Sequence, residues 1–295
     1  MNLGKIILFI GLQASGKSTE SRRRSAADKN VMRVSRDDIR NMLFVHWAGK
    51  KESVVSHIEK ATVRAAVSAG YDIIIDDTNL NPGVRVSWQS LADELGVPLV
   101  EESFETPLET CIFRDANRHG NAFLGRPVIE RTALWYGKLP PLPADQPVAI
   151  FDIDGTIANS DHRSYLVDGS QKKDHEKYFT LVGLDTPIQV VIDWANACYA
   201  AGMTVLLVSG RPTGRPGIDT VNWLAKHNVH YHHIFTRNGG DYRLDDIVKQ
   251  EILDKLLIWI RKDQIQFCVD DRPRVIRMWK ANGLKVYDVG HGIKF

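Results

Sequence analysis

The chain opens on a short apolar run, IILFI (6–10), that stops at Gly11 and turns strongly polar through GLQASGKSTESRRR. A run this short, rich in β-branched residues and closed by glycine, predicts a buried strand, and the polar stretch after it predicts a loop opening a helix. The alternation recurs. VMRVS (31–35), YDIIIDDTNL (71–80) and VPLVEESFE (97–105) read as strands, the second of them buried and ending in carboxylates. Helical patterns lie between, over 53–69 and 84–95, with Pro82 suited to the first turn of the latter. ETCIFRDANRHGNAFLGRPVIER (109–131) reads as a helix, a glycine-punctuated loop and a second helix opened by Pro127. Strands alternating with helices predict an α/β domain with a largely parallel sheet.

GKLPPLPADQP (137–147) interrupts this pattern with four prolines and reads as a short, semi-stiff linker. The strand-turn pattern then restarts with VAIFDIDGTIA (148–158), MTVLLVSGR (203–211) and QFCVDDRP (266–273). At 295 residues the chain is about twice the length of one ordinary domain. We therefore expect two α/β domains, 1–138 and 148–295, joined by 139–147.

Composition narrows the classes. With 43% hydrophobic and 25% charged residues the chain is of the soluble globular kind. No apolar run approaches the roughly 20 residues that cross a bilayer, and the N-terminal run leads to no small-residue cleavage site. A net charge of +2 does not argue for nucleic-acid binding, although SRRRS and DDRPRVIRMWK are locally basic. Cys111, Cys198 and Cys268 are far apart in apolar stretches and read as core residues of a reduced, cytoplasmic protein. His162, His175 and HYHH (230–233) read as solvated or capping residues before a metal site.

The candidate chemistry sits at strand ends, where ligands bind in open α/β sheets. GLQASGKS, Gly11 to Ser18, fits G-x-x-x-x-G-K-[ST] between a strand and a helix, so that backbone N–H groups and the helix N-terminus face an anionic phosphate chain. Lys17 would neutralise the β- and γ-phosphates, and the Ser18 hydroxyl would bind magnesium. In SRDDIR, Asp37 is the candidate general base and Arg40 the candidate holder of an acceptor phosphate. Asp76 or Asp77 would orient the magnesium through water, Asp77 being favoured. Arg114, Arg118, Arg126 and Arg131 compete for the cation over the transferring phosphate.

In the second half, the carboxylates of D-x-D-G-T lie two apart and can face one site, with Asp152 attacking phosphorus and Asp154 protonating the leaving oxygen, then activating water. Gly155 permits the turn. Ser209 and Arg211, then Lys249 with Asp245 one turn before it, then Asp270 and Asp271 supply a phosphate clamp, a cation and magnesium ligands.

The order strand–DxDGT, strand–SGR, Lys, strand–DD resembles the haloacid dehalogenase superfamily over most of 148–290, which implies a Rossmann-like core and magnesium. With the P-loop, SRDDIR and DDTNLNP ahead of it, essentially the whole chain resembles the phage bifunctional polynucleotide 5′-kinase/3′-phosphatase family. The resemblance implies ATP on Gly11, Ser15, Gly16, Lys17, Ser18 and Thr19, with Arg118 as the transition-state arginine and Arg126 its rival. It implies Asp37 as base, Arg40 on the acceptor phosphate, and Asp77 with Thr78 near the acceptor. In the second half it implies Asp152, Asp154, Ser209, Arg211 and Lys249 as catalytic residues and Arg163 and Asp245 as phosphate-site neighbours. Magnesium would sit on Ser18 in one domain and on Asp152, Asp154, Asp270 and Asp271 in the other. Implied partners are RNA or DNA ends and a downstream ligase, in the cytoplasm (the host's, if phage-encoded), with no membrane. A homo-oligomer is a further implication, with Trp47, Trp135 or Trp259 as contacts.

This sequence departs from the family in LQAS within the loop, in a longer lid between Gly120 and Pro127, and in the flap 159–179, for which the family supplies no roles. Two other readings compete with an end-healing enzyme. One is a small-metabolite kinase fused to a metabolite phosphatase; the other is a non-catalytic binder of nucleic-acid ends. Every required residue type is present in both halves, which disfavours the binder.

Overall fold

The computed structural model describes residues 4–44, 51–167 and 173–290. The chain divides between Arg114 and Asp115 into two compact units.

In the first unit, β1 (Ile6–Gly11), β2 (Val31–Val34), β3 (Asp72–Ile75) and β4 (Leu99–Phe104) form a parallel sheet in the order β2-β3-β1-β4. Ile6 of central β1 faces Ile73 on one side and Leu99 on the other, and every β1 residue is buried, as a parallel strand covered on both faces must be. Crossovers are helical: α1 (Lys17–Ala27), α2 (Arg36–Leu43), α3 (Glu52–Ser68) and α4 (Pro82–Leu95). Helix α4 starts where proline places it, with the Asn81 side chain accepting from Gly83 N, and ends on Gly96 at φ 66°. Between β1 and α1 the loop turns on Gly16 at φ 103°, a conformation that favours glycine. At Gly11 a Cβ would lie 2.9 Å from the Phe104 carbonyl oxygen, so both motif glycines are sterically required.

Helix α5 (Leu108–Ala116) carries the boundary. The second unit is built on a five-stranded parallel sheet, β11-β10-β5-β8-β9, from β5 (Val148–Phe151), β8 (Thr204–Pro212), β9 (His233–Arg237), β10 (Ile265–Asp270) and β11 (Val286–Asp288). A two-stranded antiparallel arm, β6 (Ala158–Asn159) with β7 (Thr186–Pro187), brackets a flap containing α7 (Asp161–Ser164) and α8 (His175–Thr180). Around the sheet lie α9 (Gln189–Ala200), α10 (Arg215–Lys226), α11 (Asp245–Trp259) and α12 (Pro273–Ala281). Phe151, Ile153, Val205, Leu207, Trp223 and Ile234 lie at the heart of its core.

Proline content and packing draw the boundary in different places. Helix α6 (Arg126–Trp135), expected in the first domain, packs on β9: buried Glu130 accepts from Ile234 N (2.8 Å) and lies 2.8 Å from His233 Nδ1. The stretch expected as a linker is tied down, since Gln264 Nε2 donates to the carbonyls of Pro143 and Gln146 and Trp259 Nε1 to that of Pro140. Prolines rule out helix and central strand, but their carbonyls remain free to accept. Trp135 is half-buried under the Arg131 guanidinium and Trp259 is half-buried; Trp47 lies outside the described residues.

Candidate active sites

In the first unit the expected phosphate loop is wrapped around its own lysine. Lys17 Nζ donates to the carbonyls of Gly11 (2.9 Å) and Leu12 (2.6 Å) and to Ser15 Oγ (3.1 Å). Thr19, exposed, and Glu20 send their N–H groups back to the Gly16 carbonyl, so α1 begins at the loop. Thr78 is tied in through its carbonyl, which accepts from Gly11 N (3.0 Å).

The carboxylate on Ser18, the expected magnesium ligand, is Asp76, where Asp77 was favoured. Asp76 accepts from Ser18 Oγ (3.1 Å), Ser21 Oγ (2.8 Å) and Arg33 Nε (2.8 Å). Asp77 faces the other way, as consecutive residues leaving a strand do, and accepts from Arg36 N (3.2 Å). Burial, then neighbouring Glu59, pushes the Asp77 carboxyl well above its usual range against the pull of Arg36. Glu59 is fully buried and accepts from Arg36 Nε at 2.8 Å. Asp37 is at the surface, paired with Arg40 Nη1 at 2.5 Å, and Arg40 also grips Glu52 through two nitrogens.

The lid arginines separate by unit. Arg118, expected over the transferring phosphate, folds with the second unit, its Nη1 3.8 Å from Asp115. Its rival Arg126 donates to Glu130 (3.0 Å) and to the His232 carbonyl (2.7 Å). The arginine that the first unit holds at the loop is Arg114, whose Nη1 lies 3.7 Å from where a Cβ on Gly16 would be.

The second unit gathers its expected residues at the carboxyl ends of β5, β8 and β10. Lys249 Nζ lies 2.6 Å from Asp152 Oδ1 and donates to Asp270 Oδ2 at 2.9 Å; all three are buried. Among the described residues, Asp152, Asp270 and Asp271 form a group with one oxygen each within 4.8 Å of the others. An all-oxygen, carboxylate-rich set of this size suits a hard divalent cation such as magnesium. Burial, then the neighbouring carboxylates, holds Asp152 well above its usual range, with Lys249 opposing; Asp271 is pushed up to about 6 by burial and then by Asp270. Lys249 is held charged: burial disfavours the ammonium, but Asp152 and Asp270 outweigh it and raise its pKa.

Beside this group Asp154 Oδ1 accepts from Arg163 Nη2 (2.6 Å) and Arg211 Nη2 (2.7 Å). Burial works against its ionisation, yet Arg211 and Arg163 hold it below the usual carboxylate range. Ser209, at the β8 end, is fully buried with its Oγ accepting from Arg211 N at 3.2 Å. Asp245 is clamped by Arg237 Nη2 (2.5 Å) and Arg272 Nη1 (2.7 Å).

Sequence reasoning missed Asp185, which accepts from Arg163 Nε (2.7 Å) and Arg211 Nη2 (2.5 Å) and lies 2.8 Å from His162 Nε2. Two fully buried guanidiniums need more counter-charge than Asp154 offers, and that imbalance is the signal that could have found it. In the flap, Tyr178 covers Arg163 with its ring centroid 4.1 Å from the guanidinium carbon. Of the other histidines, His232 Nδ1 accepts from Val205 N, His233 sits on Glu130, and the His175 and His230 rings lie against Tyr242 and Tyr199.

The folds and sites define a two-part class: a nucleotide-handling P-loop unit joined to an aspartate-based phosphatase unit. Residues 146–293 match the family model described as the polynucleotide kinase PNKP phosphatase domain, and residues 6–136 match one described as an AAA domain. The chain belongs to the polynucleotide kinase PNKP phosphatase family, with a P-loop kinase-type domain ahead of it. A relative from Autographa californica nuclear polyhedrosis virus, named as a bifunctional polynucleotide kinase/RNA ligase, is 23% identical over 94% of this chain and 41% of that protein. The chain thus spans less than half the length of that curated relative. Among solved structures, one chain of a Pnkp1/Rnl/Hen1 RNA repair complex is 25% identical, covering 99% of this chain and 97% of that one, with a TM-score of 0.40. The Mycobacterium tuberculosis APS kinase CysC, in complex with AMPPNP and APS, is 20% identical over 40% of this chain and 71% of that one, with a TM-score of 0.34.

Proposed function

We propose that the chain heals nucleic-acid ends, moving the ATP γ-phosphate onto 5′-hydroxyls of RNA or DNA and hydrolysing 3′-phosphates. The observation that carries this reading is the buried Asp152–Lys249–Asp270–Asp271 group with Asp154 and two arginines beside it, on a chain whose other unit holds a P-loop. Membership of a polynucleotide kinase phosphatase family supports a polynucleotide as substrate. The relative's name, which joins a polynucleotide kinase to an RNA ligase, supports a ligase acting downstream on the same ends. No helix among the described residues is long and apolar enough to cross a membrane.

In the first unit, Lys17 turns from the loop carbonyls to the β- and γ-phosphates. Asp37 takes the proton of the attacking hydroxyl once Arg40 transfers to the acceptor phosphate, and Arg114 offsets charge on the transferring group, the role the resemblance gave to Arg118. Ser18 and Asp76 in this unit, and Asp152, Asp270 and Asp271 with Asp154 beside them in the other, would hold magnesium, which would neutralise phosphate charge.

In the second unit the Asp152 carboxylate attacks the 3′-phosphorus, forming an aspartyl-phosphate as the bond to the 3′-oxygen breaks. Asp154 gives that oxygen a proton, then takes one from the water that hydrolyses the intermediate and releases phosphate. The arginines that hold Asp154 ionised also control when it can donate. A substrate phosphate that draws Arg163 and Arg211 onto its own oxygens lets Asp154 rise toward protonation. Asp185 keeps both guanidiniums in place during the exchange.

The test is direct. RNA and DNA oligomers with a 5′-hydroxyl and a 3′-phosphate, incubated with the enzyme, ATP and magnesium, should gain a 5′-phosphate and lose the 3′-phosphate. Unchanged ends, with turnover of small phosphate esters, would transfer the chain to metabolite chemistry.

A further inference from the structure

The charged groups of the phosphatase site recognise a phosphate and a leaving oxygen, and no ring lies exposed among them. Recognition of what the phosphate is attached to must then lie at the mouth. Strand β9 ends there at Arg237, and the loop 238–244 that follows is anchored at Gly239, Asp241 and Arg243. Arg237 Nη1 donates to the carbonyls of Asp241 (3.1 Å) and Arg243 (2.9 Å), the two neighbours of Tyr242, while its Nε donates to the Gly210 carbonyl between Ser209 and Arg211. Its Nη2 holds Asp245. Arg243 is pinned in turn to Asp241 (2.6 Å) and Glu251 (2.6 Å), and Gly239 N to Thr213 Oγ1 (2.9 Å).

A loop held this firmly, one arginine away from the phosphate clamp, keeps the Tyr242 ring 73% exposed. An isolated surface tyrosine needs no explanation. This one is not isolated: the His175 ring, at the start of α8, lies 6.0 Å from it at an interplanar angle of 50°. Helix α8 is the element whose Tyr178 covers Arg163. Two rings therefore meet, one on a loop tied through Arg237 to the Gly210 carbonyl between Ser209 and Arg211, the other on the flap helix that covers Arg163. His175 is held toward its neutral form by partial burial and by Lys173 and Arg237 nearby, with Asp174 opposing, which suits a stacking surface.

We propose that Tyr242, with His175 beside it, is the stacking platform for the nucleobase of the 3′-terminal nucleotide whose phosphate enters the Asp152 site. The inference rests on the polynucleotide reading above. Stacking of this kind accepts any base, because each has a π face, and the half-exposed Arg243 and exposed Lys173 lie close by for the backbone.

The experiment compares two oligomers of equal length and charge, one ending in an ordinary nucleoside 3′-phosphate and one in an abasic 3′-phosphate. For the wild-type chain kcat/KM should favour the base-bearing end by roughly 5- to 100-fold, mostly through KM. Tyr242→Ala should collapse that ratio toward one, Tyr242→Phe should keep it, and His175→Ala should reduce it partway. Retained turnover of the abasic 3′-phosphate oligomer, which needs the Asp152 site but no base, reports folding of the second unit in the variants. The proposal is overturned if wild type shows no preference, or if Tyr242→Ala retains it. If wild type hydrolyses small phosphate esters but neither oligomer, the polynucleotide reading itself fails and this inference with it.

Discussion

The two units solve the same problem, holding charge against phosphate, in opposite ways. In the second unit Lys249 and Arg211 are fully buried and Asp152 is 3% exposed; Lys249 is already paired with Asp152, and Arg211 keeps Asp185 even when it passes from Asp154 to a phosphate. In the first unit Asp37 is 81% exposed, and Lys17, Asp37 and Arg40 are bound to partners they must leave before they can act. The phosphatase site is built by folding; the kinase site is rebuilt by its substrates. Buried charges survive only when fully paired, so each phosphatase residue is also a structural residue, whereas a surface ion pair contributes little to stability.

The largest effect expected is the separation of the activities. Asp152→Asn should lower 3′-phosphate hydrolysis on the order of 10⁴-fold or more while 5′-phosphorylation continues. Lys17→Ala should do the reverse. A single oligomer labelled at both ends reads the two together, and equal loss of both activities in a folded variant would contradict two independent sites.

Next in size is Asp185→Asn. Arg163 and Arg211 would be left sharing Asp154, and breaking a buried network of this kind costs about 3–5 kcal/mol. Both the melting temperature of the second unit and phosphatase turnover should fall. A variant that keeps its melting temperature would show that Asp185 is dispensable to the fold and would weaken the contrast between the units.

Asp37→Asn is the counterpart in the first unit. Its side chain is mostly in water, so stability should stay within about 0.5 kcal/mol while kinase turnover falls by about 10²-fold, with ATP affinity little changed. Near-normal turnover would reassign the base, Asp38 being the next candidate.

The same contrast explains what could be read from the sequence. Gly11–Ser18, Asp152 with Asp154, and Asp270 with Asp271 are local motifs at strand ends, and spacing alone puts each cluster on one site. Asp185 stands in an ordinary Asp-Thr-Pro, and its partners Arg163 and Arg211 reach it only through the fold. The choice between Asp76 and Asp77 depends on which residue of the strand end faces α1; the pattern shows that adjacent residues diverge, not which one faces Ser18. That α6 packs on β9 was hidden because Glu130, a charged residue on a helix, looks like surface until His233 and Ile234 N are brought to it. Most of the parallel strands, the first unit's helices over 53–69 and 84–95 and the helix–loop–helix of the lid were legible, since apolar runs, prolines and glycines are local signals; the helices around the second sheet and the roles within the flap, which depend on contacts distant in sequence, were not.

The smallest effect sharpens the comparison through pH. Asp271 has an ordinary pKa of 3.8 and is pushed up to about 6 by burial and by Asp270. Between those values the folded chain keeps a proton that the unfolded chain releases, so the contribution of Asp271 to stability declines as pH rises through that window. Asp152, raised for the same reasons and opposed by Lys249, adds in the same sense. Asp154 works the other way: its pKa is depressed, so its pairs with Arg163 and Arg211 stabilise the fold above the ordinary carboxylate range and are lost as pH falls through that range and below it. Magnesium competes with the proton on Asp271 and relieves the repulsion among the three carboxylates. The rise in melting temperature on adding magnesium should therefore be small at about pH 5 and larger, by a few degrees, at about pH 7.5. Asp271→Asn should remove most of that pH dependence, and Asp37→Asn none of it. An equal magnesium shift at both pH values would mean that the cation does not bind through Asp271.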